Sequence, residues 1–280
     1  MDINILKDMA PWEWPEDTAE VLLAVLRQKE TNESDRLLAV ELAGDFTVIN
    51  DELAEELLSI LCDTDNSDQL RGRAAISFGA ALDYAYTDEF EDPESVPISE
   101  PIFHRIQKTL HKVYSDSRTP KEVRRRVLEA SVRAPEGWHD EAVRAAYSSG
   151  DDDWQVTAVF CMRFIGGFDE QILEALNSSN PDVHCEAVMA AGACEVDEAW
   201  AHVEALVTSE DTEKYLRLAA IEAAAYIRPE EAGPILVSLT TSDDEDIVEA
   251  AYDAMSILER SLEDEFDEFD EDDENGISFN

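Results

Sequence analysis

Five histidines and sixty-six acidic residues share this chain of 280 residues. Histidine–carboxylate neighbours are therefore inevitable, and spacing decides whether any of them can do chemistry. Two triplets come nearest, His139-Asp140-Glu141 and His184-Cys185-Glu186. On a helix, consecutive side chains fan around the axis by about 100° each, so neither triplet can converge on one ion or one reacting atom. No histidine is followed by glutamate, and His-Glu-x-x-His is absent. Gly-x-Gly-x-x-Gly, Gly-x-Ser-x-Gly and Walker-type loops are absent as well, and ten glycines leave little backbone for cradling phosphate. The expectation is a non-enzyme with no catalytic residue, no cofactor and no metal.

The four cysteines, Cys62, Cys161, Cys185 and Cys194, lie in apolar helical patterns and form no Cys-x-x-Cys pair. They read as buried free thiols of a reducing compartment. The first residues have neither a basic region nor a continuous apolar core, and no stretch approaches eighteen apolar residues. A cytoplasmic protein without a membrane span is expected.

Charge is the other chemical resource. The formal net charge is −45, of which ten units lie in 261–280, leaving −35 on the rest. Such a field repels phosphate backbones and anionic lipid, and it attracts basic proteins. Solubility or adaptation to high salt, with six Lys against fifteen Arg, would give the same balance. Against this background residues 100–145 hold ten bases and seven acids. Arg105, Lys108 and Lys112, with His104 and His111 beside them, follow helical spacing and form one stripe able to bind carboxylate or phosphate, or to neutralise neighbouring acids. Arg124 and Arg125 extend the basic segment. In the tail, Phe266 and Phe269 interrupt the acidic run 263–274, making an acidic-aromatic peptide for a basic partner or for the stripe itself. These seven residues are the candidate partner contacts.

The elements that must position these groups are helices recurring at a fixed period. First helices are predicted near 17–29, 51–63, 100–114, 139–148, 169–177, 197–208 and 230–240. Second helices are predicted near 34–44, 68–86, 120–134, 152–165, 181–194, 213–227 and 244–261. Thr119-Pro120-Lys121-Glu122 and Ser242-Asp243-Asp244-Glu245 read as capping boxes, and Asn180-Pro181 as a cap followed by proline. Corresponding slots are 31, 29, 33 and 31 residues apart from Val123 through Trp154, Val183 and Leu216 to Ile247. The step from Leu70 to Val123 is 53, and the excess holds an acidic, proline-bearing loop near 87–98.

The second helices carry the pattern Asp/Glu–x–Val/Leu–Arg–x–x–Ala–Ala–x–x–Leu/Ala–Gly, as from Asp68 through Arg71 and Ala74-Ala75 to Gly79. This resembles the HEAT repeat, and more narrowly the short HEAT-like repeats of phycobilin lyases, over about residues 16–260. The Arg slot is kept at Arg36, Arg71, Arg124 and Arg217 and is Gln155, His184 and Val248 elsewhere, which interrupts any Asp–Arg ladder between neighbouring helices. The absence of a His-Glu pair separates the chain from the HEAT-like hydroxylases, whose iron sites use such pairs.

The resemblance implies an all-α fold: a right-handed α-α superhelix of about seven helix pairs over 1–261, with a disordered acidic tail at 262–280. Such arrays sum nearest-neighbour terms and need capped ends, a place suited to Trp12 and Trp14. The expected function is a non-catalytic protein-binding scaffold whose partner has a basic surface, with no nucleic acid and no membrane. Two alternatives stand beside it: an acidic inhibitor or immunity protein, possibly a nucleic-acid mimic, that blocks a basic effector, and a chromophore lyase or its accessory subunit.

Overall fold

The computed structural model describes residues 3–28, 32–92 and 95–274, with 261–274 described by backbone alone. Among the described residues all regular structure is helical. The chain divides into two compact units, residues 1–142 and 143–280.

The first unit holds α1 (Ile3–Lys7), a 3-10 turn (Pro11–Glu13), α2 (Thr18–Arg27), α3 (Glu33–Ala43), α4 (Asp51–Cys62), α5 (Asp68–Ile76), α6 (Gly79–Asp88), α7 (Glu100–Ser115) and α8 (Lys121–Ser131). The division between units falls within α9 (His139–Tyr147). The second unit continues with α10 (Asp152–Met162), α11 (Asp169–Ala175), α12 (Pro181–Ala193), a 3-10 turn (Asp197–Ala199), α13 (Trp200–Thr208), α14 (Lys214–Ile227), α15 (Pro229–Leu239) and α16 (Glu245–Glu274). Each predicted segment is helical, and most helices begin and end within a few residues of the expected span.

Starts are set by short polar side chains. Asn50 Oδ1 accepts from the amides of Glu52 and Leu53 at 3.1 and 3.0 Å, Ser67 Oγ from Leu70, and Asn180 Oδ1 from Asp182 at 3.0 Å, with Pro181 following as expected. These bonds satisfy amides that have no partner inside the helix. The capping box expected at Thr119–Glu122 does not form. Pro120 occupies the cap position without a side-chain bond, and the Glu122 carboxylate turns instead to Arg125 and Arg126, at 3.2 and 3.0 Å.

Within each unit the second helices pack side by side: α3 on α5 and α5 on α8 in the first, α10 on α12, α12 on α14 and α14 on α16 in the second. Small residues permit this. A Cβ on Gly192 of α12 would stand 2.7 Å from Ala223 Cα of α14, and one on Gly44 would stand 2.6 Å from the Ser77 carbonyl oxygen. The alanines of the repeat (Ala74, Ala75, Ala190, Ala191, Ala220 and Ala224) are buried beside these crossings.

Three local expectations are corrected. The helix predicted over 68–86 breaks between Ile76 and Gly79, where Ser77 Oγ donates to the Val40 and Arg73 carbonyls at 2.8 and 3.0 Å and turns the chain. The segment at 87–98 is not wholly a solvent loop. Val96 and Ile98 are buried in the core, and Phe90, in the left-handed conformation at φ 58°, packs its ring 5.5 Å from Phe103. Of the two tryptophans ahead of α2, Trp14 packs on the core and donates Nε1–H to the Leu6 carbonyl at 3.0 Å, whereas Trp12 is 81% exposed. Short α1 already covers that end with Ile3 and Leu6, leaving Trp12 nothing to lie over.

Helix α16 runs past 261 to Glu274, because neither glycine nor proline interrupts it before Gly276. The side chains of Phe266 and Phe269 and the residues 275–280 lie outside the described part, so the expectation for the tail is not addressed by side-chain contacts.

Candidate functional site

Arg71, Arg124 and Arg217, the repeated Arg slot, share one contact. Each sits near the start of a second helix and donates Nε–H to the carbonyl ten residues upstream. The acceptors are Leu61 at 3.0 Å, Tyr114 at 2.9 Å and Val207 at 2.9 Å, in the last turn of the preceding first helix. Last-turn carbonyls have no partner inside their own helix, so the guanidinium caps helix one while sitting on helix two. The slot is thus a brace within one pair rather than a ladder between pairs. Arg36 departs from this, donating Nη1–H to Asn66 of the next helix pair at 3.0 Å.

The candidate contacts divide sharply. Arg105 is exposed but ion-paired with Glu55. Arg124 is held at the Tyr114 carbonyl, with its guanidinium 5.1 Å from the Tyr114 ring. Arg125 is buried within α8, 3.2 Å from Glu122 and 4.0 Å from buried Glu129, while Arg126 donates to the same two carboxylates. His111 stacks on Trp138 at 4.7 Å. Of the predicted stripe, Lys108 and Lys112 alone are exposed without an ion pair among the described residues.

The two histidine triplets are parts of the framework. His139 is 1% exposed; its Nδ1 lies 2.8 Å from the Glu136 amide nitrogen and 3.1 Å from the Glu136 carbonyl oxygen, and its Nε2 lies 3.0 Å from Ser131 Oγ. Burial holds it neutral, lowering its pKa to about 4. His184 takes the Arg slot of its repeat and meets His202 of α13, Nε2 to Nε2, at 2.8 Å; burial and the partner ring lower its pKa, and burial lowers that of His202. Sequence reasoning missed this pair, since the two histidines lie eighteen residues apart on different helices. Among the described residues no group of three or more His, Cys, Asp or Glu side chains is placed to hold a metal ion. None of the four cysteines is in a disulfide, and Cys62, expected to be buried, is exposed at the end of α4. Among the described residues no helix is long and apolar enough to cross a membrane.

The second unit presents an aromatic and thioether surface on its second helices. Half-buried Phe160 of α10 and Phe164 in the turn after it lie 5.5 and 6.0 Å from the Arg163 guanidinium, whose Nη1 is 3.9 Å from Met189 Sδ of α12. On α14, Tyr215 and Tyr226 are three turns apart and so share a face; they are 49% and 39% exposed. On α16, Tyr252 is 57% exposed. A cavity of about 310 Å³ opens between α12 and α14 against Met189, Gly192, Glu222 and Tyr226.

This arrangement is that of an all-α helical-repeat protein, and comparison agrees. Residues 169–256, from α11 into α16, match the family model of HEAT repeats. Among solved structures, human deoxyhypusine hydroxylase in complex with glycerol is similar at 16% identity, over 88% of this chain and 86% of that one, with a TM-score of 0.41. An engineered protein is similar at 19% identity, over 74% of this chain and 96% of that one, with a TM-score of 0.37. No curated protein matches the chain.

Proposed function

We propose that this protein is a non-catalytic scaffold that binds a protein partner through the second-helix face of residues 143–260. The observation that carries the reading is that Arg163, Met189 and Tyr226 line one cavity there, with the rings of Phe160 and Phe164 beside the Arg163 guanidinium. Aromatic residues, methionine and arginine are the types enriched at the cores of protein interfaces, because they bring large contact area at little entropic cost. The net charge of −45 favours a partner with a basic surface and disfavours nucleic acid and anionic lipid. If the partner is a basic effector silenced on binding, the same scaffold acts as an acidic inhibitor.

The test is site-specific photo-crosslinking in native lysate from position 226 on α14 and from position 237 on α15. Both native residues, Tyr226 and Val237, are exposed, at 39% and 55%. One defined adduct from position 226, lost in a Met189→Glu variant, is expected. Equal labelling from both positions, or labelling from 237 alone, would overturn the assignment of this face.

A further inference from the structure

A second cavity, of about 520 Å³, lies in the first unit where α4 runs into α5 and α7 runs into α8. Its lining is unlike the rest of the chain. Arg71, Lys112 and Arg118 stand against a single carboxylate, Asp116, and Thr64, Thr109 and Thr119 belong to the same lining. A molecule with 66 acids against 21 bases thus places a net excess of two positive charges around one concave volume.

The three cations are not equivalent. Arg71 is fixed: its side chain is 7% exposed, Nε–H is committed to the Leu61 carbonyl, and Nη1 lies 3.8 Å from Asp68. Arg118 is matched by Asp116, with Nε and Nη2 donating to its two oxygens at 3.0 and 2.7 Å; these bonds and the Arg118 amide hold the Asp116 carboxyl at about 2. Lys112 makes no ion pair among the described residues, although its charge adds to that of Arg118 in lowering Asp116. The Cys62 sulfur, also in the lining, registers the local field. Partial burial of the sulfur, in a residue exposed overall, pushes its pKa up, while Lys112, Arg71 and Arg105 each oppose that rise.

We propose that this cavity binds a small organic phosphate. A phosphoryl group carries three acceptor oxygens and nearly two negative charges, which suits converging ammonium, guanidinium and hydroxyl donors better than the two oxygens of one carboxylate. About 520 Å³ exceeds what a phosphoryl group fills and lies in the range of small-molecule sites, so the ligand has an organic body. Val113 offers that body an apolar contact. Recognition runs through side chains, consistent with a chain that lacks glycine-rich phosphate loops. The site is independent of the partner face in residues 143–260.

The experiment is titration of the full chain with millimolar inorganic pyrophosphate at low salt, read by calorimetry and by the thermal midpoint, with citrate as the polycarboxylate comparison. Pyrophosphate is expected to bind and raise the midpoint. Lys112→Gln should weaken it at least tenfold, and Lys108→Gln, which removes the same charge from the same helix outside the cavity, should leave it unchanged. Absence of binding, equal binding in Lys112→Gln, equal loss in Lys108→Gln, or tighter binding of citrate would each overturn the proposal. Both lysines are exposed, so neither substitution is expected to unfold the chain.

Discussion

His139 is buried, with Nδ1 against the Glu136 backbone and Nε2 against Ser131 Oγ, so charging the ring places a cation where water does not reach it. The unfolded chain accepts this proton near pH 6.5, whereas burial delays it to about 4 in the folded protein. Between those values the unfolded state binds more protons. Stability from this residue is therefore complete above pH 6.5 and declines as pH falls towards 4, by up to roughly 3 kcal/mol. His184 and His202, both lowered, act in the same direction. Urea midpoints at pH 7.0 and 4.5 should show a smaller drop for His139→Asn than for the native protein. An identical drop would remove His139 from the account. The sequence was a fair guide to what these residues are not, because the fan of a helix already kept His139-Asp140-Glu141 from converging. It was no guide to the bonds to Ser131 and Glu136 or to the His184–His202 pair, which depend on how the chain folds back.

Period and composition made the helices legible, because alanine, leucine and short polar caps act locally, within a turn or two. The role of the Arg slot was not legible in the same way, since its acceptor is a backbone carbonyl that every residue possesses. The interval of ten residues back to the last turn of the first helix is the signal that could have found it. The break at Ser77 escaped for a related reason, as its hydroxyl is anchored to the Val40 carbonyl of α3, a contact between neighbouring helix pairs. Removing a brace leaves a last-turn carbonyl without its donor, at a cost of about 1–3 kcal/mol for a buried group. Arg217→Leu should therefore lower the unfolding free energy by about that much. Arg105→Ala, which deletes an exposed ion pair, should cost less than about 1 kcal/mol. Similar losses from the two substitutions in equilibrium denaturation would contradict the bracing role.

For the whole molecule the dominant quantity is a net charge of −45 held in 31.3 kDa. Local pairs such as Arg228 with Asp197, both bonds at 2.7 Å, offset it only in places. Self-repulsion opposes compaction, and salt shortens its reach from about 30 Å at 0.01 M to about 3 Å at 1 M. Potassium chloride over that range should raise the thermal midpoint by several degrees, and a flat or falling midpoint would show that repulsion is not limiting. The same charge was legible in composition alone, whereas the cavity around Lys112 was not, because Thr64, Arg71 and Lys112 come from three separate stretches of chain. The brace has a consequence of another kind. Its donor and acceptor are ten residues apart, so a segment of about thirty residues copied or lost in register carries both ends of the bond with it. The polar framework of such a protein survives changes in copy number, and its length is free to drift over generations while each helix pair keeps its own stop.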